Sequence, residues 1–253
     1  MSDAHREAVL AEFAGQSSTF AGAAHPPAAL ARLMQVAAPG AGERWLDVAC
    51  GPGVVSRALA PFAGSVHGTD VTPAMVETAR AGAPPNCSFA EGDATATGFD
   101  DGSFDGAITR FSLHHIPRPG RVVAELGRVV APGGSVVVCD HVADDDRAAF
   151  AWSQEIERLR DPSHWATLTV DELRSLGTGL ELEEEVVVPF VIDYDQWRRR
   201  GSGGDAARTL IDAAVSAPPP GAACFRRDGG SLALRVWMGR WRRPSAAASP
   251  SSH

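Results

Sequence analysis

RWLDVACGPGVVSRALAPFAGSVHGTD, residues 44–70, is the stretch from which the rest of the chain can be read. Arg44 to Val48 has the character of a buried strand. Ala49, Cys50, Gly51, Pro52 and Gly53 make a turn of small residues, and a helix and a second strand ending in Asp70 follow. Strand, glycine turn and helix in this order are half of a doubly wound α/β unit, whose ligand crevice opens at the carboxyl ends of the strands. The turn glycines let a ligand approach bare backbone, and the helix start offers N–H groups without intrahelical partners.

Working outward, strand and helix alternate. Thr72-Pro73 opens a helix through Arg80, and Asn86 to Glu91 reads as a third strand. Phe104 to about Thr109 is a fourth strand, Arg121 to Val130 an amphipathic helix, and Ala131-Pro132-Gly133-Gly134 a tight turn into the valine-rich fifth strand SVVVCD. Such alternation demands a mostly parallel sheet with right-handed crossovers. Upstream, residues 3–21 begin as a helix, with Val9, Leu10 and Phe13 at core spacing, before the pattern dissolves at Gly15 to Ser18. Pro26-Pro27 starts a second helix that buries Leu30, Leu33, Met34 and Ala37. Beyond Asp140 the spacing predicts a helix over 148–160, then a loop and short helix, and a strand over 180–188. A helix over 194–217 follows, broken at Gly201 to Gly204, and a last strand after the Asp228-Gly229-Gly230 turn. The reading therefore divides the chain into a helical cap (1–38), a ligand-binding core (39–142), a helical lid (143–179), a C-terminal strand pair with inserted helices (180–243) and a disordered tail (244–253).

A net charge of −8 argues against a nucleic-acid backbone as partner, and Arg198, Arg199 and Arg200 read as a solvated helix face. Four scattered cysteines without a CxxC or CxxH pair give no metal signature and suit a reducing cytoplasm. No apolar run approaches the roughly 18 residues of a membrane span, and MSDAHREAVL lacks the apolar region of a signal peptide. A monomer or homodimer acting on a small molecule in the cytoplasm is the expectation.

The crevice itself discriminates between ligands. A dinucleotide site asks for G-x-G-x-x-G and no anion beside the pyrophosphate. Here Ser56 stands for the third glycine and Asp47 sits at the strand tip. A carboxylate there repels phosphate and attracts an ammonium group. An amino-acid head joined to a ribose without phosphates satisfies both facts, which points to S-adenosylmethionine. Asp70 is then the ribose acceptor, Val71 faces the adenine, and Asp93 lies within reach of the adenine amino group.

LDVACGPG, GTDVTPAMV, EGDA, FDGAITRFSLHHIPRP and LGRVVAPGGSVVVCD resemble the successive motifs of a class I S-adenosylmethionine-dependent methyltransferase. They are most similar to the small-molecule branch around the ubiquinone and menaquinone C-methyltransferases, over roughly residues 40–142. The resemblance implies a Rossmann-like, doubly wound seven-stranded sheet, mostly parallel, with an antiparallel last strand and a helical lid. It further implies that Asp47, Ala49, Gly51 and Gly53 hold the methionine part, and Asp70 and Val71 the ribose and adenine. Met75, Asp93 and Ala94 would form the adenine rim, and Arg110 and Phe111 would lie near the carboxylate and the methyl donor. The family's usual first glycine is Ala49 here, a departure the site should tolerate.

Methyl transfer needs a positioned nucleophile, exclusion of water and, where the nucleophile carries a proton, a base. Histidine suits the last task near neutral pH. His114 and His115 follow strand four, His141 follows strand five and His164 falls in the lid. Of these, His115, His141 and His164 are the candidate bases and substrate contacts, with Trp165 as a flat wall and Gln16 and Phe20 completing the pocket. Trp152 and Trp197 either complete this pocket, with Phe111, or belong to the core. The implied activity is methylation of a small aromatic or polyketide-like molecule at O, N or C. A lysine-poor composition rich in Ala, Pro and Arg suits secondary metabolism. Two other readings remain open: an S-adenosylmethionine-binding enzyme that cyclises or decarboxylates, and a non-catalytic subunit of the same fold. A nucleic-acid or protein methyltransferase is disfavoured by the acidic balance and by RFSLHHIP where an N/D-P-P-Y/F loop would stand.

Overall fold

A computed structural model describes residues 3–21 and 27–245, the side chains of 17–21 excepted. The tail from 246 onward, predicted to be disordered, lies outside the described residues. The N-terminal helix α1 (Asp3–Ala21) is continuous through the stretch where its apolar pattern fades, and α2 (Pro27–Ala37) follows. The deciding stretch folds as β1 (Arg44–Val48), a turn, α3 (Val54–Leu59) and β2 (Ser65–Asp70). Then come α4 (Pro73–Arg80), β3 (Cys87–Glu91), β4 (Phe104–Arg110), a single 3-10 turn (Leu113–His115), α5 (Pro119–Val129) and β5 (Val130–His141). The C-terminal part is α6 (Arg147–Arg160), α7 (Val170–Ser175), β6 (Glu181–Asp193), α8 (Tyr194–Arg200), α9 (Gly204–Val215), β7 (Phe225–Asp228) and β8 (Ser231–Arg242).

The sheet runs β3-β2-β1-β4-β5-β8-β6, with β7 paired to β8 off that path. β1, β2, β3, β4 and β5 are parallel, and β8 is inserted antiparallel between β5 and β6. This is the doubly wound, Rossmann-like arrangement expected, with one correction: an eighth strand. The Asp228-Gly229-Gly230 turn joins short β7 to β8 as a hairpin, while β6 reaches the sheet through α8 and α9. The Ala131–Gly134 turn is also absorbed into β5, because Val130 already pairs with Phe104 across a bulge.

Side chains alternate between the two faces of each strand. Trp45, Ile108, Val137 and Val236 face α2, α3, α6, α8 and α9; Leu46, Ala107, Val136 and Trp237 face α5 and α7. Burial on both faces makes the middles of β1, β4 and β5 largely apolar, with polar residues gathered at their ends. The strand order reverses between β1 and β4, where the two crossovers diverge and leave the crevice uncovered. Of the two readings open for them, Trp152 packs against the first of these clusters and lines no cavity described below, while Trp197 belongs to that cluster and also lines one of those cavities. Among the described residues, no helix is long and apolar enough to cross a membrane.

Candidate active site

A cleft of about 1300 Å³, its open mouth included, lies at the carboxyl ends of β1, β2 and β4. Asp47, Ala49, Gly51, Asp70, Val71, Met75, Asp93, Ala94, Arg110 and Phe111 all line it. Gly53 does not. Its φ of +81° makes it the left-handed residue ahead of α3, and a Cβ there would press on Arg57 and Phe89 rather than into the cleft. Its glycine serves the turn.

The two acids are buried and differently held. Asp47 is 1% exposed and accepts a 2.5 Å hydrogen bond from Ser56 Oγ. Burial pushes its carboxyl up to about 7 against the help of Ser56, with the charge of Asp70 adding to the rise. Asp70 accepts the Gly51 N–H on Oδ2 (2.8 Å) and the Thr72 N–H on Oδ1 (2.9 Å), so it closes the glycine turn onto the next loop. Burial raises its pKa too, opposed by those backbone donors. Each carboxylate oxygen retains a lone pair for a ligand hydroxyl. Asp93 is occupied by its own turn, accepting from Thr95 N (2.8 Å) and Oγ1 (2.7 Å). Ala49 has φ +50° and Phe111 φ +55°, so two non-glycine residues on the cleft wall occupy the left-handed region. Arg110 is half-buried, with its guanidinium 4.1 Å from the Phe111 ring centre.

A second cavity adjoins the first and shares Phe13, Phe111 and His115 with it. His114, His115, His141 and His164 all line it, with Gln16, Trp197 and Phe190. His141 stacks on Phe111 (4.4 Å between centroids, 2° between planes). His115 meets Phe13 edge-on, 4.9 Å away. His164 Nε2 pairs with Gln154 Oε1 at 2.8 Å.

The decisive pair is His114 and Asp140. His114 Nδ1 lies 2.5 Å from Asp140 Oδ1 in a fully buried contact. Asp140 Oδ2 also accepts the Leu113 N–H (2.8 Å), and Oδ1 accepts that of His141 (2.7 Å). Burial disfavours the imidazolium, but the carboxylate outweighs it and raises the His114 pKa. The other three move the opposite way. Burial, then the nearby His114 charge, pushes His115 and His141 down to about 3, and His164 is lowered by the same two causes.

Two sequence expectations are corrected here. Trp165 is 47% exposed and lines neither cavity; its ring meets His5 edge-on. Its backbone N–H is tied to His114 O, so His164 faces inward and the next side chain outward. Arg200 is not part of a solvated face but lines the second cavity, while Arg198 is paired with Asp212 and Asp195. The side chain of Phe20 lies outside the described residues. What sequence reasoning missed is the pairing of His114 with Asp140: this carboxylate is 26 residues away in the chain, and only the β4–β5 register brings the two together.

The acidic cleft fits an amino-acid head and a ribose: a buried carboxylate held near neutrality with Arg110 as its nearby cation, a second at the β2 tip, and bare backbone between them. The chain is also similar to known proteins. Residues 46–138 match the family model described as a methyltransferase domain. The chain is 30% identical over 189 residues to the uncharacterized methyltransferase YcgJ of Bacillus subtilis (strain 168), covering 72% of this chain and 75% of that protein. It is 40% identical over 105 residues to the demethylmenaquinone methyltransferase of Clavibacter sepedonicus, covering 41% of this chain and 43% of that one. The crystal structure of Bacillus subtilis YcgJ superposes with a TM-score of 0.77 at 26% identity, covering 86% of this chain and 98% of the other.

Proposed function

The chain belongs to the class I S-adenosylmethionine-dependent methyltransferases, and on that premise we propose that it methylates a small aromatic or polyketide-like molecule, with His114 as the proton acceptor. When bound, the cofactor supplies a methyl group already activated on a sulfonium. On this reading Asp47, Ala49 and Gly51 receive the amino-acid head, Asp70 and Val71 the ribose and adenine, and Met75, Asp93 and Ala94 the adenine rim. Arg110 and Phe111 stand on the acceptor side of the cleft, and the acceptor occupies the cavity beyond Phe111.

The observation that carries this reading is the His114–Asp140 pair in a cavity that shares its wall with the cofactor cleft. A carboxylate on Nδ1 holds the proton there and leaves Nε2 as the basic nitrogen, and it stabilises the imidazolium once a proton arrives. A base works best with a pKa near the operating pH. His115 and His141, near 3, are neutral polar wall by that criterion, and so is His164. Phe111, His141 and Phe190 offer flat and edge-on faces to a ring. Residues 1–38 and 143–179, read as cap and lid, would keep water from it.

The test is a panel of phenolic and quinol acceptors assayed with S-adenosylmethionine carrying a labelled methyl group. His114→Gln should lower turnover by about 10²-fold or more while S-adenosylhomocysteine binds as to the parent. Undiminished turnover in that variant would remove His114 as the base. Turnover without release of S-adenosylhomocysteine would remove methyl transfer itself.

A further inference from the structure

The sequence contains one motif that the active-site reading does not use, the Gly201-Ser202-Gly203-Gly204 break between α8 and α9. It is welded to the end of α6. Gly203 N–H donates to Arg160 O at 3.1 Å, and a Cβ at Gly201 or Gly203 would overlap the carbonyl oxygens of Arg160 and Leu159. The weld fixes Ser202 beside the second cavity, whose wall includes Glu157, Arg160 and Arg200 from the same two helices.

Ser202 meets α1 there. Glu12, 5% exposed, accepts the Ser202 N–H on Oε1 (3.1 Å) and the Ser202 hydroxyl on Oε2. Gln16, one turn on, donates to Glu12 Oε1 at 2.5 Å. A buried carboxylate is costly unless it is hydrogen-bonded, and here three hydrogen bonds reach its two oxygens. The residues beside Glu12 on α1 are those that close the cavities: Val9 and Phe13 line the cofactor cleft, and Phe13 and Gln16 the second cavity. A second tie, His5 Nε2 to His115 O at 2.8 Å, holds the other end of the helix.

We propose that Glu12 is a positioning residue that latches α1 over both cavities through Ser202, and that release of this latch opens them. The proposal rests on the reading that the two cavities hold cofactor and acceptor. Glu12 touches neither cavity; it acts through Phe13 and Gln16, whose place in the wall depends on where α1 lies. The Gly201–Gly204 break supplies the catch, rigid because glycine alone permits its approach to α6.

The experiment uses the full chain and S-adenosylhomocysteine as probe, read in two ways: its dissociation rate by stopped-flow fluorescence, and backbone hydrogen exchange of residues 3–16 in the saturated complex. Glu12→Ala should speed dissociation at least tenfold and raise exchange in 3–16 while α4, α5 and the sheet stay protected. Glu12→Gln, which can still accept the Ser202 N–H, should recover most of both effects, and Ser202→Ala should fall between them. An unchanged dissociation rate in a folded Glu12→Ala protein would overturn the latch. So would a rise in exchange spread evenly over the molecule, which marks general destabilisation. Failure of the parent protein to bind the probe would instead strike the cofactor assignment, so the two failures are distinguishable.

Discussion

At Asp47 a carboxylate lies 1% exposed, with its pKa pushed up to about 7 by burial. The displacement from 3.8 corresponds to on the order of 4 kcal/mol set against the ionised form, part of which a bound ammonium group would recover. The sign follows. Below about pH 7 the free protein holds the proton and binding must expel it, so affinity for S-adenosylhomocysteine should weaken on acidification, approaching about tenfold per pH unit. Calorimetric titrations between pH 5.5 and 8 check this: Asp47→Asn should bind more weakly and show a flat profile over that range. A flat profile in the parent would separate Asp47 from the ligand's amine. Ala49 is the second residue with a measurable consequence. Its φ of +50° is strained for an L-residue by roughly 1–2 kcal/mol, offset in part by the extra freedom glycine has when unfolded. Ala49→Gly should therefore be neutral or stabilising by up to about 1 kcal/mol, read from denaturant unfolding, whereas a loss of stability would mean that the turn is built differently.

The helices that shape the second cavity have their own supports. Asp146 caps α6, accepting the Ala148 and Ala149 N–H groups at 3.0 and 2.9 Å. α6 carries Glu157 and Arg160 into the cavity wall. Asp146→Ala should cost about 1 kcal/mol, seen as a lowered Tm, with the second cavity loosened before the first cleft. At β4 and β5, the register that sets Thr109 opposite Val138 and Arg110 opposite Cys139 also brings Asp140 to His114. Asp140→Asn keeps the shape of that contact but removes the charge that sustains the imidazolium. It should depress turnover sharply and lower the pH at which His114 gains its proton, measurable by NMR of the ring. An unmoved ring titration would show that the carboxylate does not govern it.

Across the whole molecule, what was legible in the chain was what is local in it. The β1–α3–β2 unit, the Pro73 helix start and the valine run of β5 are short-range patterns, and each of these formed where expected, although β5 begins five residues earlier, at Val130. β6 ran longer, to Asp193, because its outer half pairs with β8 as far as Ser231. Asp47 and Asp70 were readable because their neighbours in sequence build the site around them. Long-range contacts were not readable. The pairing of His114 needed Asp140, the outward turn of Trp165 needed the carbonyl of His114, and Arg200 lines the cavity beside Glu157 and Arg160 of α6. Glu12 gave no signal at all in a helix whose apolar pattern fades, since its partner lies 190 residues away. In this fold the first cleft is written largely in consecutive residues, and the second cavity is assembled from separate segments.

The account turns on the cleft between Asp47 and Asp70, and calorimetric titration of S-adenosylhomocysteine into the parent protein and the Asp70→Ala variant tests it most directly. A charged hydrogen-bond acceptor is worth roughly 1.5–3 kcal/mol, so the parent should bind one equivalent saturably and the variant more than tenfold more weakly. No binding by the parent, or equal affinity in the two proteins, would contradict the assignment of the cleft.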